Sequence, residues 1–153
     1  VRSILPQLHG SKVRFAYATD GQPEFSHSDN VIFVWAEESA DEYGRQVETT
    51  WTAGAALRRR TVVWTVHITA YGPEASENIN KIKTGLLSEG AKRLLAADGL
   101  FYIPRLEAPQ RIPENADGVW WERWDWRAEF NSLRSDSEQV DYFETADIIV
   151  SAD

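Results

Sequence analysis

The longest regular pattern in the chain occupies residues 118–131, GVWWERWDWRAEFN. Counted in twos, Trp120, Trp124, Trp126, Ala128 and Phe130 share one side, interrupted by Glu122. Arg123, Asp125, Arg127, Glu129 and Asn131 share the other, after Val119 and Trp121. Alternation sustained this long predicts a strand with one buried face. The alternating charges of the polar side suit ion pairs with neighbouring strands or subunits. In residues 61–71, Val62, Trp64, Val66, Ile68 and Ala70 lie opposite Thr61, Thr65, His67 and Thr69, a second strand of the same kind. Residues 12–18 set Val13, Phe15 and Tyr17 against Lys12 and Arg14. Residues 31–35, VIFVW, are apolar on both faces, which fits a central strand or one whose second face meets another subunit. Residues 100–106 form a short strand that Pro104 confines to an edge or cuts short. Residues 133–136 read as a turn, after which residues 140–150 alternate again.

Only the middle of the chain has helical spacing. Gly72 and Pro73 end a strand and open a helix with proline in its first turn, where Glu74 and Glu77 complement the dipole. Ala75, Ile79, Ile82 and Leu86 supply its apolar stripe. Gly85 and Gly90 argue against one continuous helix. Ser88 is placed to cap a second that carries Ala91, Leu94 and Leu95 and ends at Gly99. Pro109 and Pro113 bracket a connector to the long strand. Strands, then one helical segment, then strands predict an α+β domain: a mixed, largely antiparallel β-sheet with the helices packed on one face. Residues 36–56 have no usable period and predict a long extended loop at about 36–57. An arm that orders on a partner and a solvated hairpin tip both fit it.

Length allows one domain, spanning residues 1–153. The totals narrow what that domain does. A net charge of −8, from 24 acids against 16 bases, disfavours wrapping a phosphate backbone and suits a surface past which DNA moves without sticking. Seven tryptophans favour either a tryptophan-filled core or protein–protein contact. Cysteine is absent, so disulfides, thiolate metal sites and cysteine nucleophiles are excluded. No apolar run approaches the ~20 residues of a membrane span, and residues 1–10 lack the basic-then-apolar profile of a secretion signal.

No catalytic constellation emerges. His9, His27 and His67 stand in separate segments without ligand spacing, and no phosphate-binding glycine loop, dinucleotide fingerprint or nucleophile elbow is present. Glu122, on the apolar side of the long strand, is the one carboxylate that stands out. It reads as structurally paired across the sheet rather than catalytic. Cofactors and metals are therefore not expected. Arg58, Arg59 and Arg60, ahead of the second strand, are either a solvated strand end or a grip for an acidic surface on another subunit.

The order of segments resembles the tailed-bacteriophage neck or tail terminator family. The resemblance is carried by residues 12–14 followed by Gln22 and Pro23, the arginine-led strand of residues 59–71 running into Gly72-Pro73, and the break at residues 86–88. Its most specific part is PQRIP at residues 109–113, followed by GVWWER at 118–123 and by Phe130-Asn131. The resemblance implies a virion structural protein without enzymatic activity. Such a protein forms a ring, typically of six copies, that caps the tail tube and meets the head connector or adaptor. Expected partners are the tail tube protein and, in a contractile tail, the sheath protein. Genomic DNA passes through without specific binding, and no membrane is involved. Assembly would take place in the host cytoplasm. Under this reading Trp35 and Trp121 serve subunit packing, and Arg58, Arg59, Arg60, Arg123 and Arg127 pair with a neighbour's acids in a head-to-tail contact. The alternatives are another neck or tail-tube component, or a small carboxylate-using hydrolase or ligand-binding domain.

Overall fold

A computed structural model of the chain describes residues 12–19, 21, 23–39, 47–52, 54–105 and 107–140. In chain order the elements are β1 (Lys12–Phe15), β2 (Val31–Glu38), β3 (Val47–Thr52), β4 (Ala55–Tyr71), α1 (Ala75–Leu86), α2 (Glu89–Ala97), β5 (Leu100–Ile103), β6 (Gln110–Arg111), β7 (Glu114–Ala116), β8 (Val119–Trp121) and β9 (Arg123–Gln139). The axis of the molecule is the pair β4 and β9, each of 17 residues. They run antiparallel without a register shift from Ala55 opposite Gln139 to Tyr71 opposite Arg123. β2 and β3 share one edge of β4, while β5 and β6 share the outer edge of β9. β1 joins β2 in parallel and every other pairing is antiparallel. The architecture is thus α+β, with a mixed, largely antiparallel sheet and both helices against one face.

That face is built from the even-numbered residues of β2, β4 and β9. Ile32, Ile68, Ala70, Trp126, Ala128 and Phe130 meet Ala75, Ile79, Ile82 and Leu86 of α1 and Leu95 of α2. Full burial of Ile79 and Ile82 contributes about 1.5–3 kcal/mol each. Ser88 caps α2, its Oγ accepting from the Ala91 amide at 3.2 Å, and Gly99 follows the helix with φ +70°. Leu94 of the anticipated stripe is largely exposed.

Several expectations need correcting. The strand over residues 118–131 is broken at Glu122. Asp117 and Gly118 both have positive φ, and this turn folds β8 back on β7. The Glu122 carbonyl accepts from the Gly72 amide instead of a strand neighbour. Trp120 therefore sits on the β7–β8 hairpin, 68% exposed, not on the buried face. The supposed turn at residues 133–136 is strand, because β4 extends back to Ala55 and supplies a ladder partner for each of those residues. Arg58, Arg59 and Arg60 consequently lie within β4 rather than before it. Inside the anticipated loop of residues 36–57, β2 continues to Glu38 and β3 forms a hairpin with β4. All six residues of β3 are exposed, so no apolar period marks the strand. The first strand stops at Phe15, where Tyr17 turns the chain with φ 60°. Pro73 precedes α1, whose N-cap is Glu74. There the Asn30 side chain takes the capping role, accepting from the Glu74 amide at 3.0 Å. The strand expected over residues 140–150 lies, beyond Val140, outside the described residues.

Candidate functional site

The sheet face opposite the helices carries the odd-numbered residues, and here the alternation of β2, β4 and β9 places aromatic and charged side chains in rows. Trp35, His67 and Arg127 are register neighbours, as are Phe33, Thr69 and Asp125 in the next row. The Trp35 indole and His67 imidazole are stacked, with centroids 3.9 Å apart and planes within 4°. His67 Nε2 lies 3.1 Å from Glu37 Oε1, and Tyr17 meets Trp35 edge-on. At the end of the row Phe25 packs against Phe33, Tyr71 and Trp121 at centroid distances of 5.2–5.7 Å. Tyr17, Phe25, Phe33, Trp35, His67 and Tyr71 line a groove of about 780 Å³, together with Gln110, Ile112 and Arg123.

Ion pairs fix the groove's walls. Arg123 donates to both carboxylate oxygens of Asp125 at 2.9 and 2.7 Å, and reaches Glu114 at 3.3 Å. Those hydrogen bonds, the one to Asp125 foremost, hold its guanidinium more firmly charged than usual. Tyr71 donates to Glu114 at 2.8 Å; burial, reinforced by that bond, pushes its phenol up to about 12. Arg127 grips Glu107 in the same bidentate way at 2.7 Å, which holds the Glu107 carboxyl below the usual carboxylate range. Glu122 is likewise held low, first by the bidentate Arg111 at 2.8 Å and then by the Trp124 indole N–H at 2.7 Å. Structural pairing across the sheet is the expectation for Glu122, and its partner Arg111 stands on β6, paired with β9.

Beyond the helices the sheet continues as a three-stranded arm made of β3, the first residues of β4 and the last of β9. β3 is exposed at every residue, as is β9 from Leu133 onward. The arginine run lies here: Arg58 meets Glu138 at 2.6 Å and Arg60 meets Glu38 at 3.0 Å. Arg59, on the other face, has no ion pair among the described residues.

The structure thus gathers the seven residues singled out in the sequence into two places. Trp35, Arg123 and Arg127 line the groove, Trp121 packs on Phe25 of its lining, and Arg58, Arg59 and Arg60 stand on the arm roughly 23 Å or more away along β4. Arg58, Arg60, Arg123 and Arg127 each have a carboxylate partner within the same chain. Sequence reasoning passed over Phe25, Tyr71, Glu107, Glu114 and Arg111. Phe25 falls outside every predicted element, and the three charged residues pair across loops that no local spacing reveals. Tyr71 alone had a signal, as the last residue of the strand predicted over residues 61–71. Among the described residues no cluster of three histidines or carboxylates could hold a metal ion, and no helix is long and apolar enough to cross a membrane.

The described residues thus form a sheet with a one-sided helix layer, ion-paired groove walls and a projecting arm. The sequence matches the family of phage neck terminator proteins over residues 1–153, and the chain belongs to that family. The family is one of structural proteins of the virion's neck and tail, which associate with other tail and head components. No curated protein matches the chain significantly.

Proposed function

We infer that the protein is the terminator ring of a phage tail: copies of this chain, six in the expected arrangement, close into a ring that caps the tail tube and joins it to the head connector. The observation that carries this reading is the arm. Residues 47–52 and 133–139 are exposed throughout, on strands that continue past the part of the sheet covered by the described helices. Such a surface gains its stabilisation when a neighbour covers it. Family membership supplies the setting in the neck. The net charge of −8 suits a lumen through which DNA slides, because like charge prevents adhesion. The tube protein lies on one side of the ring and the connector or adaptor on the other, with sheath protein around it if the tail contracts.

Sedimentation across a range of protein concentrations, alone and with purified tail tubes, tests this directly, with electron microscopy of the same samples. Discrete six-fold rings, free or seated on tube ends, are expected. A chain that remains a single copy in every condition, or polymerises into open tubes, would refute it. The second outcome would identify a tube component instead.

A further inference from the structure

The groove and the arm lie at opposite ends of β4 and on opposite faces of the sheet. The groove is floored by odd-numbered positions such as Phe33, Trp35 and His67. On the arm, Val47 and Trp51 stand opposite Arg60 and Ala56, so they share the even-numbered, helix-side face. Both are exposed, Trp51 at 67%, whereas Ala56 beside Trp51 is fully buried. From Ala56 to His67 is eleven steps along one strand, roughly 36 Å.

We propose that the helix-side face of the arm of one copy laps over the groove of the next, with Trp51 as its anchor. The proposal rests on the ring reading and names the contact that would close it. Geometry selects a second copy as occupant. Two complementary patches that face opposite ways at opposite ends of a rigid ribbon bring each copy onto the next in the same orientation. That is a heterologous contact, which propagates until a ring closes. Two patches on the same face would give a two-fold pair instead.

Chemistry agrees. Arg123 and Arg127 are already held bidentate by Asp125 and Glu107, so the groove does not call for a small anion. It offers aromatic surface, the ground on which a tryptophan makes a dominant contact. At its rim Glu37, half exposed, has a histidine ring as its partner rather than a guanidinium. Arg58 stands on the arm's docking face opposite Thr49, between the positions of Val47 and Trp51, in an exposed pair with Glu138. Docking brings this guanidinium to a rim that has a carboxylate to offer. The area sets the cooperativity. Three strands of six residues present a flat footprint of roughly 300 Å². Even doubled for side-chain relief, this stays below the ~800 Å² per partner of a stable isolated pair. One joint is therefore weak, and closure, in which every copy uses both ends, stabilises the assembly.

The cysteine-free sequence permits a clean test. Thr49 of the arm and Thr69 of the groove are roughly 36 Å apart within one copy, so a disulfide between them has to join two copies. Oxidised T49C/T69C protein is expected to run as a ladder of covalent multimers that ends at the ring. A mixture of the two single variants should stop at pairs. Trp51→Ala should raise the concentration needed for assembly at least tenfold, and Trp51→Phe should recover most of it, with unchanged circular dichroism in both. If the wild-type chain forms rings but the ladder is absent and Trp51→Ala assembles normally, the arm–groove contact is wrong and the ring reading stands. If the wild-type chain never assembles, the ring reading fails and takes this contact with it.

Discussion

Replacing Gly72 with alanine probes the joint on which the architecture turns. At this residue β4 ends and α1 is about to start; its amide donates to the Glu122 carbonyl at 3.1 Å, and its carbonyl accepts from Ala75 at 3.0 Å. Gly72 has φ +102°, a conformation that costs a residue with a Cβ about 1–3 kcal/mol. The added Cβ would also stand 2.4 Å from the Asp29 carbonyl oxygen and 2.7 Å from Asn30 Oδ1. The first is backbone, and the second is the group that caps α1 through Glu74, so neither yields cheaply. Relieving such overlap costs a further 1–3 kcal/mol or so. A total near 4 kcal/mol corresponds, for a domain of this size, to a fall in Tm on the order of 10 °C. Gly90→Ala is the matched control. Nothing lies within 4 Å of its Cβ, and helix propensity favours alanine there by up to ~1 kcal/mol. Urea unfolding followed by tryptophan fluorescence, at concentrations low enough that assembly does not contribute, reads both. A Gly72→Ala midpoint equal to that of the wild type would show that the joint between β4, α1 and the Asp29–Asn30 turn is not as tight as described.

Four further outcomes are expected. Ser88→Ala removes the acceptor for the Ala91 amide and should cost about 1 kcal/mol in the same urea assay. Ile79→Ala, at a fully buried position of α1, should cost about 2–5 kcal/mol, with the larger value if the cavity does not collapse. The ionisations give opposite pH dependences. The Glu122 carboxyl is lowered in the folded protein by Arg111, so its stabilisation is complete above the unfolded glutamate value of about 4.3 and is lost as pH falls through the folded value. Glu122→Gln should flatten that acid-side loss in unfolding curves recorded stepwise below about pH 4.3. Tyr71 is raised, so its contribution is present below about 10 and disappears as pH rises through about 12. Absorbance titration should show Tyr71 ionising late, alongside Tyr102, which burial also raises, and Tyr71→Phe should remove its share of the late phase.

Wherever the sheet has the helices beneath it, the strands were legible. Val62 to Ala70 and Trp124 to Phe130 alternate because one face is driven into the core, and the α1 stripe of Ala75, Ile79, Ile82 and Leu86 is the reciprocal surface. Ser88 and Gly99 were equally readable, since capping and positive φ are local requirements. The break at Glu122 was not. It depends on the Gly72 amide and on the Arg111 side chain, which arrive from residues 50 and 11 positions earlier in the chain. Alternation in a sequence records the faces of a strand, and says nothing about whether the ladder is interrupted.

The arm shows a different kind of limit. Residues 133–136 read as a turn, and through residue 139 charged side chains hold one face and serines with Gln139 most of the other, yet every residue pairs with β4. β3 is no more telling, with Val47 and Trp51 on one face among threonines and Glu48. A strand that buries nothing within its own chain has no hydrophobic period to display, so backbone pairing alone defines it. The arginines suffer in the same way: Arg58 and Arg60 looked like a free cationic run because Glu138 and Glu38, their partners, are 80 and 22 residues distant. A chain written to fold alone would carry most of its pattern in its core. Here Trp51, Val47 and Leu133, which no hydrophobic period marks, stand exposed on the arm.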